Sequence, residues 1–274
     1  MLPALDAIER VQRPLHGLPV YIAGSSVAAA LYSNISDQSY DDVDVFCSTP
    51  NALVSAVNQL RFHGWEFDPR FERVWVRWMK YGFKGWHTNS IKLEHPKTGV
   101  DVNVIYKMVD GHATTSLSQV IESFDFGLLA VGGWDMERGT YHDMRSYLFP
   151  DVDELLHDGT GNPLAQELPM LPNRRNDWRN GFISQYQGLR EIGRYVKYVD
   201  YGYDMSLIKD DLLTGYWAVA DYLSDRDKPE KIQLGKIYEA IALHLSADNL
   251  DQLREVGKEV LFMDSLDAIM ESLE

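Results

Sequence analysis

Cysteine is almost absent from this 274-residue chain, which holds one, Cys47. A single thiol excludes an intramolecular disulfide framework and any cysteine-rich zinc site. Long apolar runs are missing too, and none approaches the roughly 20 residues that span a bilayer. Residues 1–15 carry acids early and have no continuous apolar segment, so they do not read as a secretory signal. The 20 Gly and 11 Pro follow no period, which excludes a collagen-like or low-complexity chain. Positive charge is in deficit: 26 Lys and Arg face 41 Asp and Glu, a formal net charge of −15. That disfavours a protein that coats nucleic acid through bulk charge, while leaving room for a local basic groove. A reducing, cytoplasmic compartment is the expectation.

What is present suits a folded globular chain, with 45% hydrophobic and 24% charged residues. The length fits one large domain or two smaller ones. The charge is uneven. Residues 61–107 hold nine Lys/Arg and five Asp/Glu, whereas residues 198–274 hold seven and 17.

The first half reads as mixed strand and helix. Val20-Tyr21-Ile22-Ala23 is a short apolar run ending at Gly24-Ser25-Ser26, after which Val27 to Tyr32 reads as helix. Val43, Val45 and Phe46 interleave with Asp42 and Asp44 in a strand pattern. Thr49-Pro50 then opens a helix with a hydroxyl cap and a proline at the first helical position. Gly64 is placed to stop it. Residues 71–81, rich in Trp, Val and Arg, read as a strand, and residues 116–134 as a helix. Residues 91–95 and 100–105 flank Pro96-Lys97-Thr98-Gly99 as a hairpin. Pro and Gly punctuate the text from about 150 to 176, and the period beyond is helical. The stripes are Leu189, Ile192 and Val196; Leu212, Leu213, Trp217 and Ala220; and Leu250, Leu253, Val256 and Val260. The expected organisation is an α+β domain over 1–150, a linker over 151–176 and an all-helical domain over 177–274.

Three acids carry the chemistry. Asp42 and Asp44 stand two apart on a strand, so their carboxylates share one face while Val43 and Val45 point into a core. Asp101 opens the second hairpin strand. If that strand lies beside the first, three carboxylates converge, and their mutual repulsion calls for a cation. Hard oxygen donors favour Mg²⁺, or Mn²⁺ as a substitute. Gly24-Ser25-Ser26 sits upstream on a strand-to-helix turn, where glycine admits a close ligand and N–H groups and hydroxyls can hold phosphate oxygens. A phosphate cradle beside a carboxylate metal site is the apparatus of phosphoryl or nucleotidyl transfer. The reading requires Asp101 to face Asp42 and Asp44, with no side-chain cation filling the space between them.

The order strand–Gly-Ser-Ser–helix, then Asp42-Val43-Asp44-Val45, then Val100-Asp101-Val102 resembles the polymerase-β-like nucleotidyltransferase superfamily. Small viral and bacteriophage-type members are the most similar, and a later Ser123-Phe124-Asp125 extends the likeness to about residues 20–127. The resemblance implies a nucleotidyltransferase-like mixed sheet with flanking helices. It implies that Gly24 and Ser25 bind a nucleoside triphosphate, with Ser26 of the same turn read as a further phosphate contact. It assigns Asp42, Asp44 and Asp101 to Mg²⁺, with Asp101 also helping to activate an acceptor hydroxyl. The product would be a transferred nucleoside monophosphate plus pyrophosphate. The acceptor stays open among a protein side chain, an RNA 3′ end such as that of tRNA, and a small molecule. A viral origin would make the compartment the host cytoplasm. Two alternatives are a non-catalytic nucleotide- or partner-binding module on the same fold, and a phosphotransferase moving the γ-phosphate.

Secondary candidates are fewer. Arg190, Arg194 and Lys197 fall on one helical face beside Tyr195 and Tyr198, as a triphosphate clamp or a solvated face. Asn103 shares the strand face of Asp101. Asp125 reads as a further carboxylate or a helix cap. The basic and aromatic residues from Arg70 to Trp86 read as core or interdomain packing, or as a nucleic-acid surface. Cys47 reads as a small buried residue, and His63, His87, His95 and His112 show no metal-ligand spacing.

Overall fold

The computed structural model describes residues 2–31, 36–81, 88–109, 112–124, 126, 129, 131–135, 140–143 and 187–256. The chain divides into two compact units, Met1–Leu168 and Pro169–Glu274. The linker expected over 151–176 lies outside the described residues. Among the described residues no helix is long and apolar enough to cross a membrane.

The first unit is mixed α and β. Helix α1 (Ala4–Leu15) is followed by β1 (Val20–Ile22), α2 (Ser25–Leu31), β2 (Val43–Cys47) and α3 (Pro50–Phe62). Then come β3 (Glu66–Phe67), α4 (Pro69–Tyr81), β4 (Asn89–His95) and β5 (Val100–Tyr106). Five strands form one sheet in the order β1-β2-β5-β4-β3. The central pair, β2 and β5, is parallel, with Val43 opposite Val102 and Asp44 opposite Asn103. The neighbours β1 and β4 run antiparallel to them. A parallel pair needs a crossover longer than a turn, and α3, α4 and the outer strands β3 and β4 supply it.

Alternation decides which face carries the core. Val43, Val45, Ile91, Leu93, Val102 and Val104 are completely buried, and each such side chain contributes roughly 1.5–3 kcal/mol. They pack toward α1 and α3. Helix α1 buries Ala4, Ala7, Ile8, Val11 and Leu15, and α3 buries Leu53, Val57 and Leu60. The α3 start is as its sequence suggests: the Thr49 hydroxyl accepts from the Ala52 amide at 3.0 Å, and Pro50 takes the first helical position. The hairpin at residues 96–99 also forms, joining His95 to Val100 across β4 and β5.

Two expectations are overturned. Residues 71–81 form helix, not strand: α4 runs Pro69–Tyr81. Asp68 decides this, because its carboxylate accepts the Arg70 amide at 2.9 Å and its carbonyl accepts Phe71 at 2.8 Å, with Pro69 next in line. Trp75 is the buried residue of the helix and stacks at a tilt 5.9 Å from Phe67. The aromatic content suggested a strand, but the cap and the packing of Trp75 onto β3 determine a helix. Nor are residues 116–134 one helix. The helix α5 covers Leu117–Glu122, with a Ser116/Gln119 capping box, and Val131–Asp135 is strand β8, paired with β9 (Thr140–Asp143). Two further short strands, β6 (Met108–Val109) and β7 (His112–Ala113), pair between β5 and α5.

The second unit is helical in its described residues: α6 (Gln187–Asp200), α7 (Ser206–Ser224), α8 (Pro229–Ser246) and a helical turn region over 250–256. Ile192 and Val196 are buried as their spacing suggests. The α7 stripe is rotated from the expected one, with Ile208, Leu212, Tyr216, Ala220 and Leu223 buried and Trp217 exposed. Gly235 on α8 lets the two helices meet, since a Cβ there would stand 2.7 Å from the Ser224 hydroxyl and 3.0 Å from its amide. Tyr216 and Glu191 are buried, and burial first, then the Glu191 charge, raises the Tyr216 pKa. Lys209 bonds Asp248, and Arg254 bonds Asp200 at 2.5 Å. Val260 lies outside the described residues.

Candidate functional site

The turn after β1 and the polar face of β2, β4 and β5 form one cluster. Gly24 has φ +95°, a backbone conformation that side chains other than hydrogen rarely adopt. Its carbonyl accepts the Ala28 amide at 3.0 Å, which starts α2. The turn is tied on two sides. The Ala23 amide donates to the Asp44 carbonyl, and the Gly24 amide to the Val131 carbonyl, both at 3.3 Å. A Cβ on Gly24 would stand 3.2 Å from Asp44 Oδ2 and 4.0 Å from the Phe124 ring. The carboxylate itself therefore stands against the side of this glycine where a side chain would be. Ser25 and Ser26 open α2 and are buried. The Ser26 hydroxyl has no hydrogen-bond partner among the described residues.

The parallel pairing of β2 with β5 places the remaining acids. Asp44 lies opposite Asn103, whose amide donates to Asp44 Oδ1 at 3.2 Å. One step toward the N-terminus, Asp42 and Asp101 meet on a common partner, Lys92 of β4. The Lys92 ammonium is 2.7 Å from Asp101 Oδ2 and 3.6 Å from Asp42 Oδ2. Burial pulls the Lys92 pKa down. The hydrogen bond that Lys92 donates to Asp101 and the charges of Asp42, Asp101 and Asp41 outweigh it, so the net shift is upward and the side chain is a cation. The three side chains are between 21 and 28% exposed, so the face is open to solvent on one side.

This arrangement meets the sequence expectation in one respect and departs from it in another. Asp42, Asp44 and Asp101 do share one face of neighbouring strands. They do not form a ready ligand set. Among the described residues no three His, Cys, Asp or Glu side chains are grouped to hold a metal ion. The position between Asp42 and Asp101 is taken by Lys92, so the requirement that no side-chain cation fill this space is not met. Three carboxylates on a half-buried surface need compensating charge, and the nearest side chain on β4 supplies it. Sequence reasoning passed over Lys92, although the signal was there. A cation alternating with Ile91 and Leu93 in a hairpin strand must share a face with Asp101 on its partner.

The other candidates fall into place around this face. Phe124 packs edge-on to Phe46 at 5.6 Å, and Lys107 lies 5.1 Å over the Phe124 ring and donates to the Ser123 carbonyl at 3.1 Å. The Ser123-Phe124 stretch is thus brought beside the Gly24 turn, while Asp125 lies outside the described residues. Burial pushes the Cys47 thiol up to about 12, which suits a packed residue and not a nucleophile. Of the proposed clamp, Lys197 lies 5.5 Å over the Tyr201 ring, and Arg194 is half-buried on α6. The Arg190 side chain lies outside the described residues. All three belong to the second unit. Lys84, Trp86 and His87 of the basic, aromatic segment lie outside the described residues, and Arg70 is held by Asp68 at 2.7 Å.

No protein-family model matches the chain, and no curated protein matches it. The functional reading therefore rests on this geometry.

Proposed function

We propose that the protein is a nucleotidyltransferase, moving a nucleoside monophosphate from a nucleoside triphosphate to an acceptor hydroxyl. The observation that carries the reading is the Gly24 turn set against the Asp44 carboxylate, with Asp42 and Asp101 aligned beside it by the parallel β2–β5 pair. A turn without a side chain leaves room for phosphate oxygens, and the adjacent acids supply hard donors for the cation those oxygens need. The nucleotidyltransferase-like character of the sheet belongs to the same proposal.

The carboxylates suit a divalent ion in donor chemistry, and two of them already hold a cation, Lys92. Mg²⁺ or Mn²⁺ on Asp42, Asp44 and Asp101 would neutralise charge on the triphosphate. Lys92 is the obstacle. Its pairs with Asp101 and Asp42 are only 21–28% exposed, so the roughly 1 kcal/mol of a solvent-exposed pair is a lower figure for them, and about 1.4 kcal/mol corresponds to a tenfold handicap for a competitor. The chain's own part in the reaction is positioning. The Gly24 turn admits the triphosphate, Asn103 orients Asp44 through its 3.2 Å bond, and Asp101 faces the acceptor hydroxyl to take its proton. The acceptor oxygen attacks the α-phosphorus, the bond from that phosphorus to the bridging oxygen breaks, and pyrophosphate leaves.

The Lys92 bridge also favours a second reading, a nucleotide-binding module without turnover, in which the lysine permanently replaces the metal. Both are tested together. Triphosphates labelled on the α-phosphate are incubated with Mg²⁺ and with protein, RNA and small-molecule fractions as acceptors. Native protein is expected to transfer label and release pyrophosphate, and Asp44→Asn to lose about 100-fold or more. Equal rates in the two reject the assignment. Triphosphate binding that ignores Mg²⁺, without product, supports the module. Release of nucleoside diphosphate in place of pyrophosphate identifies γ-phosphate transfer.

A further inference from the structure

We infer that the outer face of helix α4 is a docking surface for a single-stranded nucleic acid, held by its phosphates and by one stacked base. The inference goes beyond the transferase reading and holds whether or not the Gly24 site turns over a nucleotide. In a chain of net charge −15, α4 carries Arg70, Arg73, Arg77 and Lys80 against one acid, Glu72. Arg73, Arg77 and Lys80 recur at i, i+4 and i+7, so they form one ridge, about 10 Å long at roughly 1.5 Å per residue. Among the described residues no carboxylate pairs with Arg73 or Lys80, both exposed, whereas Arg70 is held by Asp68. Tyr81 ends the helix 72% exposed, and the Lys80 ammonium lies 5.0 Å over its ring. A cation beside an open aromatic ring suits an unpaired nucleotide: the ammonium meets a phosphate and the ring takes the base. The positive ridge is complementary to a row of phosphates, and its small extent fits a local groove in an acidic chain. A lipid surface fits less well. An interfacial helix lays its main apolar face in the bilayer, and that of α4 is packed on β3, with Trp75 only 6% exposed against Phe67. An acidic polypeptide matches the ridge in charge but brings no base for the Tyr81 ring. Helix α4 follows β3, at the opposite sheet edge from β1 and the Gly24 turn, so this surface is separate from the transferase site.

The full chain is titrated into a fluorescein-labelled uridine oligomer of about 15 nucleotides, and into a thymidine oligomer of the same length. Anisotropy is read between about 50 and 200 mM salt. Three phosphate contacts on a single strand give a slope of log affinity on log salt of about −2, a roughly 20-fold loss across that range. The double variant Arg73→Gln/Lys80→Gln is expected to bind more weakly at low salt and to flatten the slope to about −0.7. Tyr81→Ala is expected to weaken binding about tenfold at every salt concentration, and Tyr81→Phe, which keeps the ring, to match the native chain. All three positions are exposed, so circular dichroism spectra should superimpose. Preference for the uridine oligomer identifies RNA as the partner, the reverse identifies DNA, and equal affinity admits both; each supports the inference. It is overturned if neither oligomer binds at about 50 mM salt, or if the Gln double variant or Tyr81→Ala leaves affinity unchanged. It is equally overturned if polyglutamate of equal charge displaces the labelled oligomer as well as unlabelled oligomer does, or if phosphatidylserine vesicles bind more tightly. No triphosphate or metal is present in this titration, so its outcome is distinct from that of the transfer assay.

Discussion

Strand β8 holds the glycine turn in place, and Gly132 is the position where that claim is most exposed. A Cβ at residue 132 would stand 2.6 Å from the Ala23 Cβ, 2.9 Å from the Ile22 carbonyl oxygen and 3.1 Å from the Ala23 Cα. Carbon atoms pack at about 3.5–4.0 Å, so Gly132→Ala requires the two backbones to part by roughly 1 Å. No side chain can absorb this, because every atom concerned is backbone or a first carbon. Overpacking of this kind costs about 1–3 kcal/mol, offset by about 0.4–1 kcal/mol from the stiffer unfolded chain. The expected net loss is about 1–2 kcal/mol, a fall of roughly 0.5 M in the urea midpoint at slopes near 2–3 kcal/mol/M. The movement also lengthens the 3.3 Å bond from the Gly24 amide to Val131. Hydrogen exchange at Gly24 and Ala23 is therefore expected to quicken. Gly99→Ala is the control. Gly99 has φ +63° with nothing within 4 Å of its would-be Cβ, so it carries a backbone cost of about 1–2 kcal/mol and leaves exchange at the Gly24 turn unchanged. An unchanged midpoint and unchanged exchange in Gly132→Ala would refute the packing of β8 against β1.

Two further outcomes follow from the same geometry. Gly24→Ala imposes a left-handed backbone on a residue with a side chain, about 1–3 kcal/mol, and crowds Asp44 Oδ2 at 3.2 Å. Triphosphate binding measured by calorimetry is expected to weaken about tenfold or more beyond any stability loss, and undiminished affinity would count against a phosphate site at this turn. Asp68→Ala removes the cap of α4 and is expected to cost about 1 kcal/mol near neutral pH. The hydrogen bond from Arg70, opposed by burial, leaves the Asp68 carboxyl below its ordinary range. Its contribution is thus fully present above that range and fades as pH falls below about 4. Denaturation midpoints of parent and variant should converge in acid, and a constant difference would show that the cap bond is not the source.

The legibility of this chain varied from element to element. The strand β2, the capped start of α3 and the β4–β5 hairpin could be read because each depends on local rules: alternation, a Thr-Pro cap, a glycine turn. Helix α4 was misread because its aromatic and β-branched content suits a strand, while its decisive signal is one aspartate before a proline. Strand β8 was misread because its strand partner, β9, is short and its bridge to Ala23 is distant in sequence, and nothing local marks Val131-Gly132-Gly133 as paired.

The acids Asp42, Asp44 and Asp101 and the Gly24 turn were legible as a set, because period-2 alternation places them on one face whatever the fold around them. The order of the strands was not legible, since pairing β2 beside β5 in parallel is decided by how α3 and α4 cross over. That pairing in turn decided the electrostatics: it brought Asp42 and Asp101 onto Lys92 and left Asp44 with Asn103. Which side chains carry charge is written along the chain. Which of them neutralise one another is a matter of distances between strands, and those exist only once the sheet has formed.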